Sequence, residues 1–205
     1  MTKQLSNIAL SALILSFLLV FFSCGSAEEK DGTGEETAKT ELSTTHESIY
    51  QVSMEWHSHL GDTLDLSSLK GKTPILAMVF TNCGYACPRM VADLKMIQEK
   101  IPEDQMEDVV LVLVSFDTER DTPERLNKYA DEMQLQGDWL LLHGDEEDVR
   151  TLSMLLDVHY KKQESGDFAH SNKIVLLNRE GEVVAEVNGL GSDPSPILNK
   201  LKELS

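Results

Sequence analysis

"TNCGYACPRM", residues 81–90, is the stretch on which the reading of this chain turns. Cys83 and Cys87 stand four positions apart, proline follows the second, and the apolar run 74–80 leads into the first. A short continuous apolar run suits a strand covered on both faces. Behind the motif, Met90, Leu94, Ile97 and Ile101 recur at helical spacing. This predicts a helix beginning at Cys87, with Pro88 at the first helical position, where no N–H partner is needed. The cysteines therefore sit where a buried strand turns into a helix, and the positive end of a helix favours thiolate over thiol. At i and i+4 the two sulfurs are able to face one another. A disulfide, a dithiol and a two-thiolate metal clamp all satisfy that spacing.

Outward from the motif, strand and helix signals alternate. Tyr50, Val52, Met54 and Trp56 alternate with polar residues, the pattern of a half-buried strand. A turn over 59–62 and a return over 63–66 make it a hairpin. Residues 109–114 and 139–142 read as further buried strands. Between them Thr122 caps a helix that carries Leu126, Tyr129, Ala130 and Met133 on its inner face. Residues 145–157 are helical, and 158–162 extend. Residues 174–177 and 183–187 form a second hairpin, and 195–204 close with a helix. The order predicts an α/β domain: a mixed sheet flanked by helices, with an N-terminal β-hairpin and a hairpin before the last helix. In open α/β sheets, sites form at the carboxyl ends of strands, where this motif lies.

The two ends of the 205-residue chain differ in kind. Residues 1–23 read as an export signal: Lys3, then an apolar run of about 15 residues, short for a membrane span. The run ends in Phe21, Phe22, Ser23 and Cys24, which resembles a bacterial lipobox and makes Cys24 the expected lipidation site. Residues 24–45 hold almost nothing apolar and read as a disordered acidic tether. Residues 46–205 are long enough for one domain with one core. The chain expected from this pattern is lipid-anchored in the cell envelope, with its domain outside the cytoplasm. There, Cys83 and Cys87 are the only thiols left to the domain. With 35 acidic against 18 basic residues the net charge is −17, which argues against nucleic acid as a partner.

Thiolates select soft ions, Cu(I) first among those found outside the cytoplasm, with Zn(II) as an alternative. Two sulfurs are few for a stable site, so a third ligand is wanted. His46 lies near the tether. His57 and His59 form a His-x-His beside the first turn, where strand alternation puts them on one face, and they read as two exposed polar residues before they read as a minor metal pair. His143 follows a buried strand, and His159 stands between Val158 and Tyr160. His170 directly precedes the strand at 174–177. The chain order resembles the thioredoxin fold, in which the loop entering that strand faces the cysteine turn. Redox members of that fold carry two residues between their cysteines; here there are three, Gly84, Tyr85 and Ala86.

Four blocks carry a more specific resemblance. They are Thr81-x-Cys83-x-x-x-Cys87-Pro88; residues 114–124, VSFDTERDTPE; His159-Tyr160-Lys161-Lys162; and His170-Ser171 before a strand. In that order and at those distances they resemble the Sco/SenC family, membrane-tethered thioredoxin-fold copper chaperones for the copper site of cytochrome c oxidase. The resemblance runs from about residue 53 to the C-terminus. It implies that Cys83, Cys87 and His170 bind copper, as Cu(I) or Cu(II), and pass it to a membrane oxidase subunit, and that a thiol reductant keeps the cysteines open. Gly84-Tyr85-Ala86 and Ala169 depart from the family's usual Pro-Asp-Val and Asp. The alternative function is an extracytoplasmic thiol–disulfide oxidoreductase, with Cys83 attacking, Cys87 resolving and no part for His170. Asp117 and Asp121 read as loop and capping carboxylates.

Overall fold

The computed structural model describes residues 47–204. The expected signal peptide, tether and lipidation site at Cys24, together with His46, lie outside the described residues.

The apolar run after Lys72 becomes β3, Thr73–Val79, buried at every position. It is an inner strand of a seven-stranded sheet ordered β2-β1-β5-β4-β3-β8-β9. β4, Val109–Ser115, and β5, Trp139–His143, extend the parallel part of the sheet from β3. β8, Lys173–Leu177, pairs antiparallel with the other edge of β3, and β9, Val183–Asn188, pairs with β8. β1, Trp56–Ser58, and β2, Thr63–Leu64, form the N-terminal hairpin, which joins the sheet through β5. This is the expected α/β mixed sheet. Its central strands carry Val, Ile and Leu almost without interruption because both faces are covered.

The helices follow the apolar periodicity and the caps. α1, Ala86–Gln98, buries Cys87, Met90, Val91, Leu94 and Ile97. It starts one residue earlier than the sequence predicts, so Pro88 occupies its third position. That position is still within the first turn, whose N–H groups have no intrahelical acceptor, and proline is accommodated there. α2, Glu103–Met106, is a short helix that the spacing did not reveal. α3, Pro123–Glu132, begins behind Thr122, whose side chain accepts from the Arg125 N–H. α4, Glu146–Leu155, is capped by Asp145, and α5 spans Ser195–Leu204. Lys95 of α1 donates to the Met133 carbonyl at the end of α3, at 2.9 Å.

The strand expected over residues 50–56 does not form. Residues 49–51 make a 3-10 turn capped by Ser48, and only Trp56 enters β1. The intervening backbone is satisfied by side chains instead of a strand partner. Met54 N–H donates to the Asp65 carboxylate at 2.9 Å, and Glu55 N–H to that of Asp148 at 2.8 Å. Met54 and Trp56 are buried all the same, so the alternation marked burial but not strand pairing. Gly144 lies against the Trp56 ring so closely that a β-carbon there would come within 2.6 Å of it.

Candidate metal centre

The cysteine turn is shaped by backbone N–H groups that find sulfur. Cys83 N–H donates to the Phe80 carbonyl at 3.3 Å, which folds the chain back just after β3. The Cys87 N–H then donates to Cys83 Sγ at 3.3 Å, and the Phe80 N–H to Cys87 Sγ at 3.4 Å. Both cysteines are free thiols in this structure. Their surroundings differ. Cys87 is 0% exposed, whereas Cys83 is half-buried. Burial pushes the Cys87 thiol well above the ordinary range, against the lowering effect of the Phe80 N–H and with a smaller upward push from Cys83. The helix-end argument for an activated thiolate therefore fails at Cys87, because desolvation outweighs it.

The turn is held in place from outside the motif. Asp121 is fully buried and its carboxylate accepts three hydrogen bonds. Thr81 N–H donates at 2.8 Å, the Thr81 hydroxyl at 2.6 Å and the Ser115 hydroxyl at 2.6 Å. Asp121 is thus not a capping carboxylate, a role that Thr122 fills. It clamps the approach to Cys83 against the end of β4. Asp117 is buried too, and pairs with the Arg120 guanidinium.

His170 comes from a strand, not from the loop expected. β6, Tyr160–Lys162, and β7, Phe168–His170, form a separate two-stranded sheet in which Tyr160 pairs with His170. His170 Nε2 lies 3.7 Å from Cys87 Sγ. His170 Nδ1 lies 2.9 Å from the Ser171 carbonyl. A carbonyl only accepts, so Nδ1 carries the proton and Nε2 presents its lone pair to the sulfurs. With Ala169 next to it, the histidine instead makes this orienting bond by donating to the backbone carbonyl of the following residue, Ser171. Its ring is packed among Phe116, at 5.1 Å between centroids, and Phe80, at 6.0 Å and edge-on. Phe168 touches both phenylalanines. This aromatic wall escaped the sequence reading. Phe116 and Phe168 look like ordinary core residues until the hairpin is folded over the motif.

Cys83, Cys87 and His170 form a trio whose donor atoms all lie within 4.8 Å of one another, and no other such group of three occurs among the described residues. Two sulfurs and one neutral imidazole nitrogen make a soft donor set with few ligands, suited to Cu(I). The remaining histidines lie elsewhere. His57 and His143 face one another across β1 and β5. His59 Nδ1 accepts from Leu141 N–H at 3.3 Å, and His159 is exposed beside Asp157.

Comparison with known proteins agrees with this geometry. The SCO1 protein homolog of Bacillus subtilis is 29% identical over 150 residues, covering 71% of this chain and 77% of that protein. The crystal structure of a SCO1/SenC family lipoprotein from Bacillus anthracis has a TM-score of 0.68 at 27% identity, over 75% of this chain and 93% of the other. The copper-bound crystal structure of ScoI from Arabidopsis thaliana has a TM-score of 0.65 at 28% identity, over 74% of this chain and 96% of the other. The sequence model of the SCO1/SenC family matches residues 43–205, and the chain belongs to that family.

Proposed function

We propose that this protein carries copper on Cys83, Cys87 and His170 and delivers it to a copper-accepting subunit of a membrane oxidase. The observation that carries this reading is the convergence of His170 Nε2 on the two sulfurs from a separate hairpin. Family membership and the copper-bound ScoI relative support the choice of ion. Cu(I) replaces the thiol protons on binding, so uptake releases protons. Cys83, the more accessible sulfur, marks the side from which an acceptor's ligand reaches the ion, and is the ligand it displaces first. A low ligand count leaves a side open for that ligand, and the ion then passes by exchange without a free intermediate. Oxidation of the pair to a disulfide would remove both sulfur ligands. An external dithiol or two monothiols must then return two electrons and two protons before the next load.

The same reading places residues 1–23 as a signal peptide and 24–45 as a tether attached to lipid at Cys24, with the domain over 46–205 outside the cytoplasm. The lipoprotein from Bacillus anthracis supports this.

Anaerobic titration of the reduced protein with Cu(I) tests the proposal. One equivalent should bind, and His170→Ala should weaken binding by roughly tenfold or more. No stoichiometric uptake, or equal affinity in the variant, would defeat it. The unequal exposure of Cys83 and Cys87 favours a second reading, in which Cys83 attacks and Cys87 resolves a partner's disulfide. Reductase activity that survives His170→Ala would support that reading instead.

A further inference from the structure

A second group of metal-ligating side chains lies on β1 and β5. His57 and His143 are direct partners in the antiparallel pairing of these strands. Directly opposed residues project from the same face with their β-carbons about 5 Å apart. The two rings accordingly stack at 6.3 Å between centroids. On its other flank His57 is paired with Thr63 of β2, whose hydroxyl is 3.0 Å from His57 Nδ1. That contact leaves His57 Nε2 free, and Glu55 Oε1 lies 3.8 Å from it.

His143 carries the observation that needs an explanation. Its Nδ1 is buried and makes no hydrogen bond of ordinary geometry, although the Asp121 backbone lies near enough to act on the ring. A buried polar atom in that condition destabilises the fold unless something engages it. Desolvation and the neighbouring His57 hold its pKa below the ordinary value, so the ring is neutral near pH 7, the form that ligates. Carboxylates surround the pair. Glu55 is beside His57, and the negative charges of Asp121 and Glu124 both reach His143.

We propose that His57 and His143 form a second metal site that takes a borderline divalent transition ion, with the Glu55 carboxylate swinging in as third ligand and water completing the shell; as they stand, these donor atoms are not all within 4.8 Å of one another, so the site closes only around the ion. Imidazole and carboxylate suit Zn2+, Ni2+ and Cu2+. The Glu55 side chain is 73% exposed and turns freely to close on the ion. This site holds no sulfur, so it discriminates against Cu(I), whereas the cysteine site prefers it.

The test uses the full chain in detergent with Cys83→Ser and Cys87→Ser, so that the sulfur site is closed, and Ni2+ as the probe. Calorimetry should find one equivalent bound. Paramagnetic broadening in amide correlation spectra should centre on residues 57 and 143. In this background His57→Ala and His143→Ala should each weaken binding by roughly tenfold, since each removes one arm of a chelate. His57→Gln at its half-exposed position repeats the test should His143→Ala fail to fold. No binding up to about 1 mM Ni2+, equivalent to a binding energy weaker than about 4 kcal/mol, overturns the proposal. So does binding that survives both single histidine substitutions, or that is abolished by His170→Ala or His159→Ala.

Discussion

Cys87 loses all contact with water on folding, and that burial sets the proton balance of the site. Its thiol is held protonated above the ordinary range by desolvation. The unfolded chain gives up that proton at about pH 8.5, while the folded protein keeps it. This contribution to stability is therefore full below about pH 8.5. It falls as pH rises beyond that, by up to about 1.4 kcal/mol per pH unit. Urea unfolding of the reduced apoprotein, compared with Cys87→Ala, should show this alkaline slope in the wild type and a shallower one in the variant. Copper must displace the same proton, so Cu(I) affinity should rise with pH in competition titrations. Asp121 gives a second expectation at this scale. Asp121→Ala strands the Thr81 N–H and hydroxyl and the Ser115 hydroxyl in a dry pocket. We expect a loss of about 3 kcal/mol in denaturant unfolding. The Cys motif was legible in the sequence because its chemistry is local. The role of Asp121 was not, because its partners lie 6 and 40 residues away.

The β6–β7 hairpin delivers His170, and contacts from the loop after β4 hold it down. Arg120 pairs with buried Asp117 and donates to the Gly166 carbonyl at 2.6 Å. Its guanidinium lies 6.0 Å from the centre of the Phe168 ring. Lys162 meets Glu119 at 2.6 Å. Arg120→Ala should free the hairpin and leave Asp117 as an uncompensated buried carboxylate, costing about 3 kcal/mol in thermal or denaturant unfolding. It should also weaken Cu(I) binding in the wild type but have no further effect on affinity in a His170→Ala background. A double-mutant cycle by competition titration measures that coupling. β7 was missed as a strand because three residues carry little pattern of their own, and their pairing with β6 defines them. Likewise residues 50–56 had the alternation of a strand, but Asp65 and Asp148 took their backbone N–H groups. Periodicity reports which side is buried and does not say what satisfies the backbone.

Across the whole molecule, the site joins a turn after β3 to a hairpin outside the main sheet. A cargo held by both stabilises only the state in which they are docked. Saturation with Cu(I) should therefore stabilise the protein by about 2.7 kcal/mol when free ion is roughly 100 times Kd, and His170→Ala should reduce the gain in Tm. Differential scanning calorimetry with buffered Cu(I) measures it. The sequence by itself determined the buried parallel strands, the long helices and the Thr122 cap, the cysteine turn between strand and helix, and through four short blocks the family. Each of these depends on neighbours a few residues apart, or on short motifs matched together in their order along the chain. Only the tertiary structure decided that Cys87 is dry while Cys83 is not, that Asp121 clamps the turn, and that His170 lies 3.7 Å from a sulfur 83 residues before it. Such pairings are set by how strands order and dock, and no local propensity encodes them.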